Sequence, residues 1–104
     1  NSGWIGVDLD GTLAKYDGFK GEDQIGEPIP RMMNRIKAWL RAGKEVKIFT
    51  ARAANKSAVP YIEKWLEENG LGGLEVTNIK DMKMRSLYDD RCHKVEKNTG
   101  KVLA

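Results

Sequence analysis

The chain has 104 residues, 40% hydrophobic and 32% charged, with a net charge of +3. That length suits one domain with a thin core, spanning 1–104, and the composition is ordinary for a globular protein. No apolar run reaches bilayer-spanning length and no secretory signal pattern appears, so no membrane partner is expected; the charge is too mild to argue by itself for nucleic acid, and a single cysteine, Cys92, leaves no internal disulfide and fits a cytoplasmic setting.

Trp4, Ile5, Val7 and Leu9 read as a buried strand over 4–10, stopped by Gly11 and Thr12. Asp8 and Asp10 end that strand. Two like charges two residues apart share a face and repel, which is costly unless a cation or a proton lies between them. Residues 14–29 are rich in Gly, Asp and Lys and end in Pro28-Ile29-Pro30, a loop or flap too polar for a core. Tyr16 and Phe19 within it are candidates for touching a substrate. From 31 to 42, Met32, Met33, Ile36, Trp39 and Leu40 recur at helical spacing, and Gly43 closes the helix. Residues 45–50 form a second strand.

Ser57 predicts the cap of a second helix, with Pro60 in its first turn and Ile62, Trp65 and Leu66 on its buried face. Asn69-Gly70 ends it. Short strands are predicted at 74–77, 86–89 and 94–97. The tryptophans at 4, 39 and 65 sit in apolar patterns and read as core. Basic residues thicken late, from Lys80 to Lys101, but acidic neighbours make this a solvated face. His93 beside Cys92 is a surface pair with no third ligand at zinc spacing.

Strands alternating with helices imply an α/β fold with a mainly parallel sheet, a Rossmann-like three-layer α/β/α sandwich. Ligands bind such sheets at the carboxyl ends of the strands. That rule gathers Asp8 and Asp10, Thr50, Lys80, and the Asp89-Asp90 pair from four separate strand ends. The aspartates offer the hard oxygens that Mg²⁺ prefers. With a cation present Asp8 can act as a nucleophile on phosphorus, and Asp10 can give and take the proton. Thr50, Lys80 and backbone N–H groups near Leu9 and Asp10 can stabilise the charge of a transferring phosphoryl group. Gly11 frees the backbone to turn under the site.

These residues resemble the haloacid dehalogenase superfamily of phosphohydrolases. DLDGT at 8–12 is similar to its first motif, IFT at 48–50 to its second, Lys80 in VTNIKD to its third and LYDDR at 87–91 to its fourth. The resemblance implies Asp8 as the aspartyl-phosphate nucleophile and Asp10 as the general acid/base. It implies Mg²⁺ held by the Asp8 side chain, the Asp10 carbonyl and one of the final aspartates, Asp89 in preference to Asp90. Lys83 competes with Lys80 for the third motif; Lys80 is preferred for its place at a strand exit. A narrower likeness, to the 3′-phosphatase domain of phage polynucleotide kinase, implies that Arg52 contacts phosphate or substrate; Gly11 and Thr12, in the first motif, are further candidates for binding substrate. No segment is long enough for a cap domain. An uncapped site favours a nucleotide, a nucleic-acid end or another large phosphorylated substrate, and leaves room for a second copy of the chain to shape it. Two alternatives use the same residues: a catalytically idle metal-binding interaction module, and a phosphotransferase.

Overall fold

The computed structural model describes residues 3–104. The elements run β1 (Trp4–Val7), α1 (Pro30–Arg41), β2 (Glu45–Phe49), α2 (Val59–Glu68), β3 (Glu75–Thr77), β4 (Met84–Tyr88), β5 (Lys94–Val95) and β6 (Val102–Leu103). Four of the strands form an all-parallel sheet in the order β3-β2-β1-β4. Helices flank it, giving a Rossmann-like α/β fold, and the described residues form no cap domain. Among the described residues no helix is long and apolar enough to cross a membrane.

The alternation of β1 and β2 explains the core. Val7, Val46 and Ile48 point one way and meet Met32, Met33 and Ile36 of α1 and Ile62, Trp65 and Leu66 of α2. Both helices pack into this one core. Each is the crossover that parallel neighbours require. Trp4, Lys47 and Phe49 take the other parity. The Trp4 and Phe49 rings lie 6.3 Å apart, and the Lys47 amine stands 4.7 Å over the indole. Segment 78–83 covers this face on its way from β3 to β4. Its Asp81 carboxylate accepts a hydrogen bond from the Trp4 indole at 2.9 Å, and the Lys83 carbonyl accepts one from the Trp4 amide at 2.9 Å.

The register between β1 and β4 slips, because Trp4 faces Met84 and Ile5 faces Ser86. The extra residue is Arg85. Such a bulge changes which face the following side chains take. Met84 and Leu87 both crowd Gly6, where a Cβ would lie 2.7 and 3.2 Å from them. Tyr88 turns to the helical side, its ring 4.9 Å from that of Trp39.

Several boundaries differ from expectation. β1 ends at Val7, because the chain turns tightly after Asp8, with the Leu9 carbonyl taking the amides of Leu13 and Ala14. β4 begins at Met84, since the bulge extends its pairing backwards. Ser57 does not cap α2. It lies in a short 3-10 turn over 56–58 and donates its hydroxyl to the Glu22 carboxylate at 2.9 Å. The helix starts at Val59 without a side-chain cap, and Pro60 has no N–H that would need one. β5 is two residues long, stands outside the main sheet and pairs antiparallel with β6. Asn98 (φ 67°) and Gly100 (φ 81°) make the turn between them. The closing strand was not expected, because the last four residues are too few to carry a period.

Candidate active site

Parallel pairing fixes the heart of the site. The amide of Asp8 continues the β1–β4 ladder by donating to the Tyr88 carbonyl at 2.9 Å. This register sets Asp8 beside the residues that follow Tyr88, which are Asp89 and Asp90. Carboxylate oxygens of Asp8, Asp89 and Asp90 all lie within 4.8 Å of one another. The residues after Asp8 shape the seat of Asp90. Gly11 has φ +89°, and a Cβ there would come within 2.6 Å of the Asp90 carboxylate, so glycine is needed for both conformation and space. The Thr12 hydroxyl donates to Asp90 Oδ1 at 3.0 Å and accepts from the Asp90 amide at 3.0 Å. Gly11 and Thr12 therefore hold Asp90 in place. Asp89 Oδ1 accepts from the Arg91 amide at 2.8 Å, closing a local turn.

This crowding changes acidity. Burial, then the charge of Asp89, pushes the Asp8 carboxyl up from 3.8 to about 7, against a hydrogen bond from the Leu9 amide, while Asp90 adds to the rise. The charged neighbours that raise Asp8 are the carboxylates of Asp89 and Asp90. The same cluster, after partial burial, raises the exposed Cys92 thiol, so Cys92 stays protonated rather than reactive.

Asp10 faces elsewhere. Its carboxylate takes two hydrogen bonds from the Arg52 guanidinium, from Nε at 2.7 Å and from Nη2 at 3.1 Å. Arg52 also donates to the carbonyls of Gly21 (3.4 Å), Glu22 (3.3 Å) and Gln24 (2.9 Å). An arginine has five N–H donors, and these five contacts occupy them. Arg52 thus ties the 21–24 loop to the end of β1. Thr50 is buried at the end of β2, its amide bonded to the Thr77 carbonyl at 2.9 Å. Its Oγ1 accepts from the Arg52 amide at 3.1 Å, which leaves its own proton to donate.

These groups line an open cavity of about 720 Å³ at the carboxyl ends of the strands. Asp8, Asp10, Thr50, Arg52, Asp89 and Asp90 belong to its polar part, together with Arg91 and Asn78, and Tyr16 and Phe19 stand on its rim. The structure therefore brings together the predicted residues of the first, second and fourth strand ends. It does not bring Lys80 in. Lys80 is exposed on the 78–83 crossover, and Asn78 lines the cavity at the exit of β3. Lys83 lies farther off, since its carbonyl pairs with Trp4 at the amino end of β1. Sequence reasoning missed Asn78 and the carbonyls that receive Arg52. Only the position of an arginine two residues past a strand end hinted at the latter.

Comparison with known proteins bears on the fold. No family model matches the chain, and no curated protein matches it. A solved structure of a conserved protein from Bacteroides thetaiotaomicron is similar, with a TM-score of 0.69 and 22% identity. The match covers 88% of this chain and 78% of that one. At that identity the likeness supports the α/β architecture, and the chemistry has to come from the side chains above.

Those side chains suit a hard divalent cation. Three carboxylates at one point, one of them forced towards its neutral form, are stabilised when positive charge enters between them. Among the described residues, this is the one cluster of three or more potential metal-ligating side chains. A second cleft of about 310 Å³, near Trp39, Glu45 and Arg85, lies at the amino ends of the strands and carries no such group.

Proposed function

We propose that the protein is a Mg²⁺-dependent phosphomonoester hydrolase in which Asp8 forms an aspartyl-phosphate. The observation that carries this reading is the meeting of Asp8 with Asp89 and Asp90 within 4.8 Å, beside an independently held carboxylate, Asp10. Hard oxygens of this kind fit Mg²⁺. Asp8 and Asp89 would hold it with the Asp10 carbonyl, and Asp90 would stand as neighbour. When bound, Mg²⁺ would supply charge neutralisation of the carboxylates and of the substrate phosphate.

An Asp8 oxygen attacks phosphorus, and the bond from phosphorus to the leaving oxygen breaks. Asp10, with one oxygen released from Arg52 and protonated from solvent, gives that proton to the leaving oxygen. Asp10 then takes a proton from water as the water oxygen attacks the phosphoryl group. The bond to Asp8 breaks, inorganic phosphate leaves and the Asp8 carboxylate returns. Arg52 aims the Asp10 carboxyl through a two-point contact. The free Thr50 hydroxyl proton donates to an equatorial phosphoryl oxygen. Lys80 reaches the phosphate only by swinging its flexible arm inward. The open cavity favours a nucleotide, a nucleic-acid end or another large phosphorylated substrate, in a cytoplasmic setting.

The test is hydrolysis of an aryl phosphate and of phosphorylated nucleotides with and without Mg²⁺. The wild-type protein should turn over only with the metal, and Asp8→Asn should be inactive. A wild-type protein that binds Mg²⁺ yet hydrolyses none of them would overturn the phosphatase and leave an idle metal-binding module.

A further inference from the structure

The rim of the cavity is aromatic, and the phosphatase reading leaves that unused. Phe19 is 61% exposed and Tyr16 50% exposed, on a loop otherwise polar. The loop is nonetheless held firmly. Lys15 pairs with Glu27 through the backbone at 2.8 Å, the Trp65 indole donates to the Gly26 carbonyl at 3.0 Å, and Arg52 fixes the carbonyls at 21, 22 and 24. The Arg52 guanidinium lies 5.2 Å from the centre of the Phe19 ring. One ring face is thus backed by a cation that cannot drift, because its side chain is only 7% exposed and its donors are all engaged. The ring lines the same cavity as the carboxylates, one guanidinium away from Asp10.

Resting on the phosphatase reading, we propose that Phe19, with Tyr16 on the same rim, is a stacking platform for a planar ring on the leaving group, so that the preferred substrate carries a nucleobase near its phosphate. A ring preset by its surroundings gives stacking energy without an ordering penalty. A sugar phosphate would leave both aromatic faces wet. A base would cover them while its phosphate rests among Asp8, Asp10 and Thr50. A free nucleotide and a nucleic-acid end share this chemistry.

The test compares kcat/KM for adenosine 5′-monophosphate, adenosine 3′-monophosphate, a 3′-phosphorylated oligonucleotide and ribose 5-phosphate, all with Mg²⁺. The wild-type protein should favour the base-bearing substrates by about tenfold or more. Phe19→Ala and Phe19→Leu should bring that ratio towards one, and Phe19→Trp should keep it. Leucine retains apolar bulk without a π face, so it separates stacking from simple burial. Nucleotides ahead of the oligonucleotide would identify a free nucleotide as substrate, and the reverse order a nucleic-acid end. Equal rates on all four, or a preference that survives Phe19→Leu, would overturn the platform and leave the phosphatase standing. The same ratio is read as binding affinity, by calorimetry with Mg²⁺ on Asp10→Asn, which keeps the carboxylates of Asp8, Asp89 and Asp90 for the cation. If no substrate is hydrolysed but base-dependent binding persists and needs Phe19, the platform stands without the phosphatase; if that binding is also absent, both fall.

Discussion

Gly11 and Asp90 make one unit. The positive φ of Gly11 and the 2.6 Å approach of its missing Cβ to Asp90 mean that an alanine there meets two penalties at once. The backbone strain alone is about 1–3 kcal/mol. Gly11→Ala should therefore lower unfolding free energy by roughly that amount in a denaturant melt. It should also weaken Mg²⁺ binding in calorimetry, because Asp90 is pushed from its seat. Thr12→Val removes the two hydrogen bonds to Asp90 and keeps the shape. Its effect should fall mainly on the metal, with stability reduced by about 1 kcal/mol. Equal Mg²⁺ affinity in both variants and the wild type would show that Asp90 has no part in holding the cation.

Arg52 carries the comparable role among the loops. Three backbone carbonyls of 21–24 depend on its guanidinium, and Asp10 depends on it for direction. Arg52→Ala should leave those carbonyls to water and loosen 16–25, raising amide exchange there while the amides of α1 stay protected. Arg52→Lys should fail to restore the loop, since an ammonium cannot present a planar fork to Asp10. Uniform exchange across wild type and variant would mean that the loop is held by Trp65 and the Lys15–Glu27 pairing alone. This region also shows what was legible in the sequence. Strands and helices could be placed from apolar periodicity, because Ile36, Ile48, Ile62 and Leu66 each belong to a repeating pattern that burial enforces. Residues 14–29 have no period. Their order comes from side chains far along the chain, Arg52 and Trp65, whose partners are carbonyls that any residue could supply. Lys80 illustrates the opposite error. A strand-end rule put it beside Asp8, and the strand does end at Thr77 as expected, but the chain leaves for the crossover within the next residues, so Asn78 takes the strand exit and Lys80 is already beyond it. The bulge at Arg85 was likewise invisible, since one extra residue leaves no mark on a five-residue strand.

Across the whole molecule the acidic cluster couples folding to pH and to the cation. Asp8 titrates near 7 when folded and near its ordinary value of 3.8 when unfolded. Between those values the folded chain holds a proton that the unfolded chain has released. Stability from this group is therefore greatest at low pH, declines as pH rises from about 4 to about 7, and stays reduced above that. Asp8→Asn has no charge to lose. At pH 8 it should be more stable than the wild type by roughly 1 kcal/mol, a value kept small because the carboxyl is partly solvated. Mg²⁺ reverses the sign of the problem, since it binds the ionised cluster and competes with the proton. Free Mg²⁺ at tenfold its Kd adds about 1.4 kcal/mol, on the order of 6–10 °C in Tm for a domain of this size. Its effect at a fixed concentration should be large at pH 8 and small at pH 5, and absent at both in Asp8→Asn. Thermal melts over that range, with Ca²⁺ and Na⁺ as controls for charge alone, measure it. A Tm shift by Mg²⁺ that ignores both pH and residue 8 would place the cation somewhere other than among these three aspartates.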